Sequence, residues 1–176
     1  MRPVTIETER LRLRPLSADD ADEIHRLWAE PGVRRYLWDD EVIPPERARA
    51  VVEESVAAFE SRGLGLWAVR SRGGEELIGF CGFWFFHDPP RLELLYGIAP
   101  ALWNRGLATE AARAMLDYGF GQLSFERIEA STDAANAASV RVMERIGMSF
   151  WKREPTNGLD TIYYAVTREQ YRGRYG

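Results

Sequence analysis

The sequence predicts a single mixed α/β domain, and three observations predict it. Segments with the two-residue period of strands alternate with segments of helical period, in the order β-α-α-β-β-β-α-β-α-β-β. The length of 176 residues is that of one domain, and residues 1–176 contain no linker, internal repeat or low-complexity stretch. With 45% hydrophobic, 28% charged and 12% aromatic residues, the chain can bury a core and is not disordered. The expected architecture is a central sheet of about seven strands, mixed but mostly antiparallel, with helices on both faces.

The elements follow in order. Arg10-Leu11-Arg12-Leu13-Arg14 alternates as a half-buried strand and ends at Pro15. Ser17 and Asp20 form a capping-box pattern ahead of a helix with Ala21, Ile24, Leu27 and Trp28 inward, which Pro31-Gly32 stops. A loop through Tyr36, Leu37, Trp38 and Asp39-Asp40-Glu41 leads to Pro44-Pro45. That pair opens a second helix with Ala48, Val51, Val52, Ser55, Val56 and Phe59 on one side, ending near Gly63. The runs Leu66–Val69 and Leu77–Phe86, joined across Ser71-Arg72-Gly73-Gly74, form a hairpin. His87-Asp88-Pro89-Pro90 breaks the chain before a strand from Leu92 to Ile98. A helix from Leu107 to Gly121, a strand from Arg127 to Ser131 and a helix from Asn136 to Ile146 follow, the last capped by Gly147. Met148–Arg153 and Ile162–Val166 end the pattern as strands around a Pro155-Thr156-Asn157-Gly158 turn.

Charge and composition exclude several functions. Lys+Arg total 23 against 27 Asp+Glu, a net charge of −4 that supplies no basic field for nucleic acid. No apolar run is long enough to span a membrane, and Met1 to Leu16 lacks the apolar core of an export signal, so a cytoplasmic location is expected. The single cysteine, Cys81, forbids an internal disulfide and any cysteine-cluster metal site, and no metal is expected. Lys152 is the sole lysine, and no Gly-Lys-Ser/Thr tripeptide exists, which excludes a Walker-type phosphate loop.

The stretch most suited to chemistry is Trp103-Asn104-Arg105-Gly106-Leu107-Ala108-Thr109-Glu110-Ala111, between a strand and a helix. Unpaired N–H groups at a helix start bind phosphate, Gly106 and Ala108 keep the approach open, and Arg105 adds charge. An ordinary strand-to-helix turn reads the same way from this stretch alone. Together with Glu93-Leu94-Leu95-Tyr96-Gly97-Ile98-Ala99-Pro100 before it and Asn136-Ala137-Ala138-Ser139-Val140-Arg141-Val142-Met143-Glu144-Arg145-Ile146-Gly147-Met148 after it, the sequence resembles the GCN5-related N-acetyltransferases (GNAT). Within that superfamily it is most similar to the ribosomal-protein-alanine N-acetyltransferase (RimJ/RimL-like) branch, over nearly its whole length.

That resemblance implies transfer of the acetyl group of acetyl-CoA to a primary amine, a protein α-amine or a small molecule, by direct attack in a ternary complex without metal. It implies that the backbone of Asn104, Arg105, Gly106, Leu107, Ala108 and Thr109 holds the CoA pyrophosphate. Tyr96, Gly97 and Ile98 would pair with the pantetheine arm as an added strand. Asn136 would bond the pantetheine or order its loop, and Ser139 would protonate the departing thiolate. Glu93, opening the strand that leads to the cofactor, is the candidate base; a solvated surface charge is the other reading. Removing a proton from an α-amine at pH 7 costs about 1–1.4 kcal/mol, so a carboxylate or a water relay suffices.

Tyr36, Trp38, Trp84 and Phe86, with the Glu154–Asp160 turn, are expected to border the acceptor pocket. His87 beside Asp88 reads more simply as a turn residue than as an acid–base pair, and Cys81 as a buried thiol. A CoA-binding module without catalysis, on the same fold, is the alternative function. The chain is expected to act as a monomer or homodimer, with neither nucleic acid nor membrane as partner.

Overall fold

The computed structural model describes residues 4–175; Met1 to Pro3 and Gly176, which the sequence reading included in its domain, lie outside the described residues. Strands β1 (Ile6–Glu7) and β2 (Leu11–Pro15) lead into helices α1 (Ala21–Ala29), α2 (Pro31–Leu37) and α3 (Pro45–Arg62). Strands β3 (Leu66–Ser71), β4 (Leu77–Phe86) and β5 (Arg91–Ile98) precede α4 (Leu107–Gly121) and β6 (Arg127–Asp133). Helix α5 (Ala137–Arg145), β7 (Ser149–Thr156), β8 (Leu159–Thr167) and α6 (Arg168–Tyr175) complete the fold.

The expected class holds, but the sheet is divided. Five strands pair in the order β1-β2-β3-β4-β5 and three in the order β6-β8-β7, every pair antiparallel. Between the two sheets, β5 and β6 run side by side in the same direction. Arg91 bonds Glu129 and, two residues on, Ser131 bonds Glu93. Side chains make this junction in place of a backbone ladder.

Helices cover both faces. On one, Ile24, Leu27 and Trp28 of α1 and Val51 and Val52 of α3 pack on Leu66, Ala68 and Phe80. On the other, Ala111, Met115 and Leu116 of α4 and Met143 of α5 meet Leu11, Leu13, Val69, Phe83 and Leu94. The small residues of α4 let it approach the sheet closely: a Cβ at Gly119 would lie 2.7 Å from Ile128 and 2.8 Å from Phe83.

Three elements were not anticipated. Pro31-Gly32 stops α1 as expected, but Pro31 is also a favourable first residue, and it starts α2 where a loop was read. The two-residue β1 is too short to carry a period, and α6 is so polar that only Tyr171 is buried.

Two carboxylates, Asp20 buried and Glu110 half-buried, fasten the N-terminal part. Asp20 is 2% exposed and takes bonds from Arg14 at 2.7 Å, Arg70 at 2.9 Å and the Ser17 amide at 2.8 Å. Glu110, in the first turn of α4, takes bonds from the Thr8 hydroxyl at 2.6 Å, the Arg10 amide at 2.8 Å and the Arg10 guanidinium at 2.7 Å. Burial opposes both charges, but these donors outweigh it and hold both pKa values below the usual carboxylate range.

Asp20→Ala, which strands Arg70 without its buried partner, is expected to cost about 3–5 kcal/mol in urea denaturation. Because both folded pKa values are depressed, the stabilisation is complete above the unfolded carboxylate value near pH 4. It is lost as pH falls through the folded values. Glu110→Gln therefore lowers stability at pH 7 and flattens the acid-side decline, measurable as Tm between about pH 6 and 3.

Candidate active site

Where β5 and β6 part, a cleft of about 1130 Å³ opens between the two sheets, walled by the starts of α4 and α5 and by α2. Each wall follows from local sequence. Gly106 precedes α4 with φ +77, a left-handed conformation that glycine adopts without strain, and turns the chain into the helix. No side chain caps this helix start, so the N–H groups of its first turn face the cleft with the positive end of the helix dipole. A Cβ on Gly106 would approach only Arg10, at 3.5 Å, so the glycine is needed for its φ and not for close approach.

The end of β5 forms a second wall. Ala99 donates back to Ile78 on the β4 side at 2.8 Å, and strand alternation turns the N–H groups of Tyr96 and Ile98 toward the gap. The Ile98 carbonyl is taken by the Trp103 indole at 2.7 Å. Gly97 leaves room for the Phe80 ring, which a Cβ there would meet at 2.4 Å.

At the start of α5, Asn136 is the N-cap. Its Oδ1 accepts from the Ser139 amide at 3.2 Å, and its Nδ2 donates to Thr132 on β6 at 3.0 Å. The Ser139 hydroxyl then lies 2.9 Å from the Tyr96 hydroxyl, across the gap from β5. Burial pushes the Tyr96 phenol above its ordinary pKa, so it stays neutral.

Glu93 is not a solvated charge. It is 2% exposed, accepts from the Ser131 hydroxyl at 2.5 Å, and lies 2.8 Å from His87 Nε2. The sequence favoured a turn residue for His87 because it stands, beside Asp88, just before Pro89-Pro90. Its partner is six residues on, across the β4–β5 turn, and Ser131 comes from another sheet. No local spacing signals that meeting.

Of the expected cofactor residues, Tyr96, Gly97, Ile98, Asn104, Gly106, Leu107, Ala108, Thr109, Asn136 and Ser139 all line the cleft. Arg105 does not; its carbonyl holds Arg10 at 2.8 Å, while Arg141 and Arg145 of α5, not singled out in the sequence, supply cleft-lining arginines. Tyr36 and Phe86, expected to border the acceptor, line the cleft with Thr156, Asn157 and Leu159 of the β7–β8 turn. Trp38 and Trp84 lie outside it. Both pack against the apolar cluster under α1, Trp38 edge-on to Trp28 at 5.5 Å. Burying those rings outweighs leaving them on a wet cleft wall.

Asp39, Asp40 and Asp133 line the cleft together with Arg34 and Arg35 of α2. Arg34 pairs with Asp40 at 3.0 Å, so Asp39 and Asp133 form the acidic part of the wall, and burial together with Asp39 and Asp160 raises the Asp133 pKa. Among the described residues no group of His, Cys, Asp and Glu is arranged to hold a metal, and no helix is long and apolar enough to cross a membrane.

Comparison with known proteins agrees with this geometry. Residues 10–149 match the family described as Acetyltransferase (GNAT) domain. The chain is 33% identical over 144 residues to the uncharacterized N-acetyltransferase YoaA of Bacillus subtilis, covering 81% of each chain. A GNAT-family acetyltransferase from Bacillus anthracis superimposes with a TM-score of 0.79 at 29% identity, covering 94% of this chain and 99% of that one. RimL, a ribosomal L7/L12 α-N-protein acetyltransferase solved in complex with coenzyme A, shares the fold alone. It has a TM-score of 0.77 at 18% identity, covering 93% of this chain and 98% of that one. With the match spanning most of its length, the chain belongs to the GNAT family of acetyl-CoA-dependent N-acetyltransferases.

Proposed function

We propose that this chain transfers the acetyl group of acetyl-CoA to a cationic primary amine by direct attack in a ternary complex. One observation carries the reading: an uncapped helix start, an unpaired strand edge and a buried carboxylate all face one cleft. The first two are the donor set that a pyrophosphate and an amide-bearing pantetheine arm require, so the residues present fit acetyl-CoA. When bound, acetyl-CoA supplies an activated thioester.

The chain's own residues do the rest. The amides of Gly106, Leu107, Ala108 and Thr109 bind the pyrophosphate, with Arg141 and Arg145 adding charge. The edge of β5 at Tyr96 and Ile98 orients the arm, and an N–H there stabilises charge developing on the acyl oxygen. Glu93 underlies removal of the acceptor's proton. Ser139 donates to the departing thiolate, with the Tyr96 hydroxyl behind it to restore the proton.

The acidic end selects the acceptor. Free amines are cations at neutral pH, and Asp39 and Asp133 offer them a negative wall. Spermidine, and short peptides with a free N-terminus, are suitable probes of the two acceptor classes.

Three tests follow. CoA is expected to raise Tm, and Ala108→Glu, which places a carboxylate in the first turn of α4, to abolish that shift while the variant stays folded. Ser139→Ala should lower kcat about 10²-fold, at the low end of general-acid effects, with CoA affinity nearly unchanged in calorimetry. Asp133 has a folded pKa above its unfolded one, so its charge destabilises the fold at neutral pH. Asp133→Asn is therefore expected to raise Tm, and to lower kcat/KM for spermidine more at low salt than at high salt.

A further inference from the structure

The buried carboxylate raises a question of reach. Glu93 is 2% exposed, and its oxygens already face Ser131 at 2.5 Å and His87 Nε2 at 2.8 Å. An acceptor amine that displaced either partner would leave a buried group unpaired. His87 is placed differently. Its side chain is 16% exposed and lines the cleft. Among the described residues its Nδ1 bonds nothing, yet it is not among the sealed, unpaired polar atoms, so it remains reachable.

We infer that His87 Nδ1, and not the Glu93 carboxylate, takes the proton from the acceptor amine. Glu93 is the positioning residue that fixes the ring and balances its charge. This rests on the acetyl-transfer reading above. A carboxylate 2.8 Å from Nε2 requires a proton between them, so the neutral ring carries its hydrogen on Nε2 and its lone pair on Nδ1. Ser131, 3.5 Å from Nε2 and bonded to Glu93, orients the carboxylate from β6.

The step balances. The acceptor ammonium gives one proton to Nδ1, forming an imidazolium paired with Glu93. The freed nitrogen lone pair forms the C–N bond as the C–S bond breaks. Once that first proton has passed to solvent, Nδ1 takes the nitrogen's second proton, while Ser139 protonates the thiolate and regains its own proton from solvent through the Tyr96 hydroxyl. The imidazolium then releases its proton to solvent.

The other groups around the ring leave this pairing dominant. Asp88 is adjacent in the chain, and the Tyr163 ring of β8 lies 5.7 Å away. Arg91 and Lys152 stand over that ring at 5.4 and 4.3 Å, but Glu129 and Glu154 pair with them. Phe86 closes the β4 side at 6.2 Å.

The chain holds only two histidines, which makes a direct test possible. Long-range ¹⁵N–¹H correlation on the full chain, with His25→Gln for assignment, is expected to show His87 protonated on Nε2 and bare on Nδ1. In Glu93→Gln both tautomers should appear. A wild-type ring protonated on Nδ1 alone would overturn the inference without touching acetyl transfer. In thiol-release assays with acetyl-CoA and either spermidine or an N-terminal peptide, His87→Ala should lower kcat/KM by about 10²–10⁴-fold. It should also be partly rescued by free imidazole. Glu93→Gln should lose less than His87→Ala. The reverse ranking without imidazole rescue returns the base role to Glu93. Wild-type protein that binds CoA but releases no thiol with either probe removes the transfer reading, and this role with it, while the tautomer still reports the pairing.

Discussion

The fold depends on two strands that lie side by side without sharing a ladder. Had β5 and β6 paired along their length, eight strands would form one continuous sheet and no cleft would exist. Instead Arg91–Glu129 and Ser131–Glu93 tie their first halves, and Tyr96–Ser139 spans the gap beyond. Among the described residues, the N–H groups of Tyr96 and Ile98 on the inner edge of β5 are thereby left without a ladder partner, while the Ile98 carbonyl is taken by Trp103. A buried strand edge that stays unpaired is costly, and a ligand with amide groups is the natural way to complete it.

The start of α4, the proposed phosphate site, meets a related constraint. A helix start that is to receive an anion must stay uncapped, which forgoes about 0.5–2 kcal/mol of capping stabilisation. The chain recovers order there indirectly. Arg10 bonds both Glu110 and the Arg105 carbonyl, so the β1–β2 turn braces α4 from outside while its first turn stays open to the cleft. Trp103 acts from the other side, its indole on Ile98 and its ring against Gly32, where a Cβ would come within 2.7 Å of it. Rigidity is built around the binding groups and not through them.

This division explains what the sequence made legible. Elements with a strong period were read nearly to the residue: β4 and α4 have the bounds expected for Leu77–Phe86 and Leu107–Gly121. The stretch entering α4, Arg105 excepted, and the Asn136–Ser139 segment were legible as lining one cleft because their groups are contiguous in the chain. The aromatic walls were not, because Trp38 and Phe86 look alike in one dimension and differ only in which apolar cluster lies nearby. The His87–Glu93–Ser131 group was least legible. It joins a turn, a strand and another sheet, with Ser131 38 residues from Glu93, and only the closeness of β5 to β6 brings them together.

Opposite charges at the two ends of the cleft bear on the order of events. The α4 start with Arg141 and Arg145 is positive, while Asp39 and Asp133 are negative and Asp40 is paired with Arg34. In the proposed reaction a polyanionic cofactor and a cationic amine would thus be drawn to different ends and would not compete for one site. Fields of this kind raise encounter rates and exclude wrong orientations more than they add affinity. The uncharged middle, between Tyr96 and Glu93, spans three residues of β5 or about 10 Å, enough for a thioester and one nitrogen. The proposed acid–base groups flank that span. In the proposed reaction a proton leaving one substrate and a proton reaching the other would therefore travel by separate routes, and direct transfer would need no covalent enzyme intermediate. Cys81, the one thiol able to form such an intermediate, is fully buried in the core under β4, with its pKa pushed up by that burial.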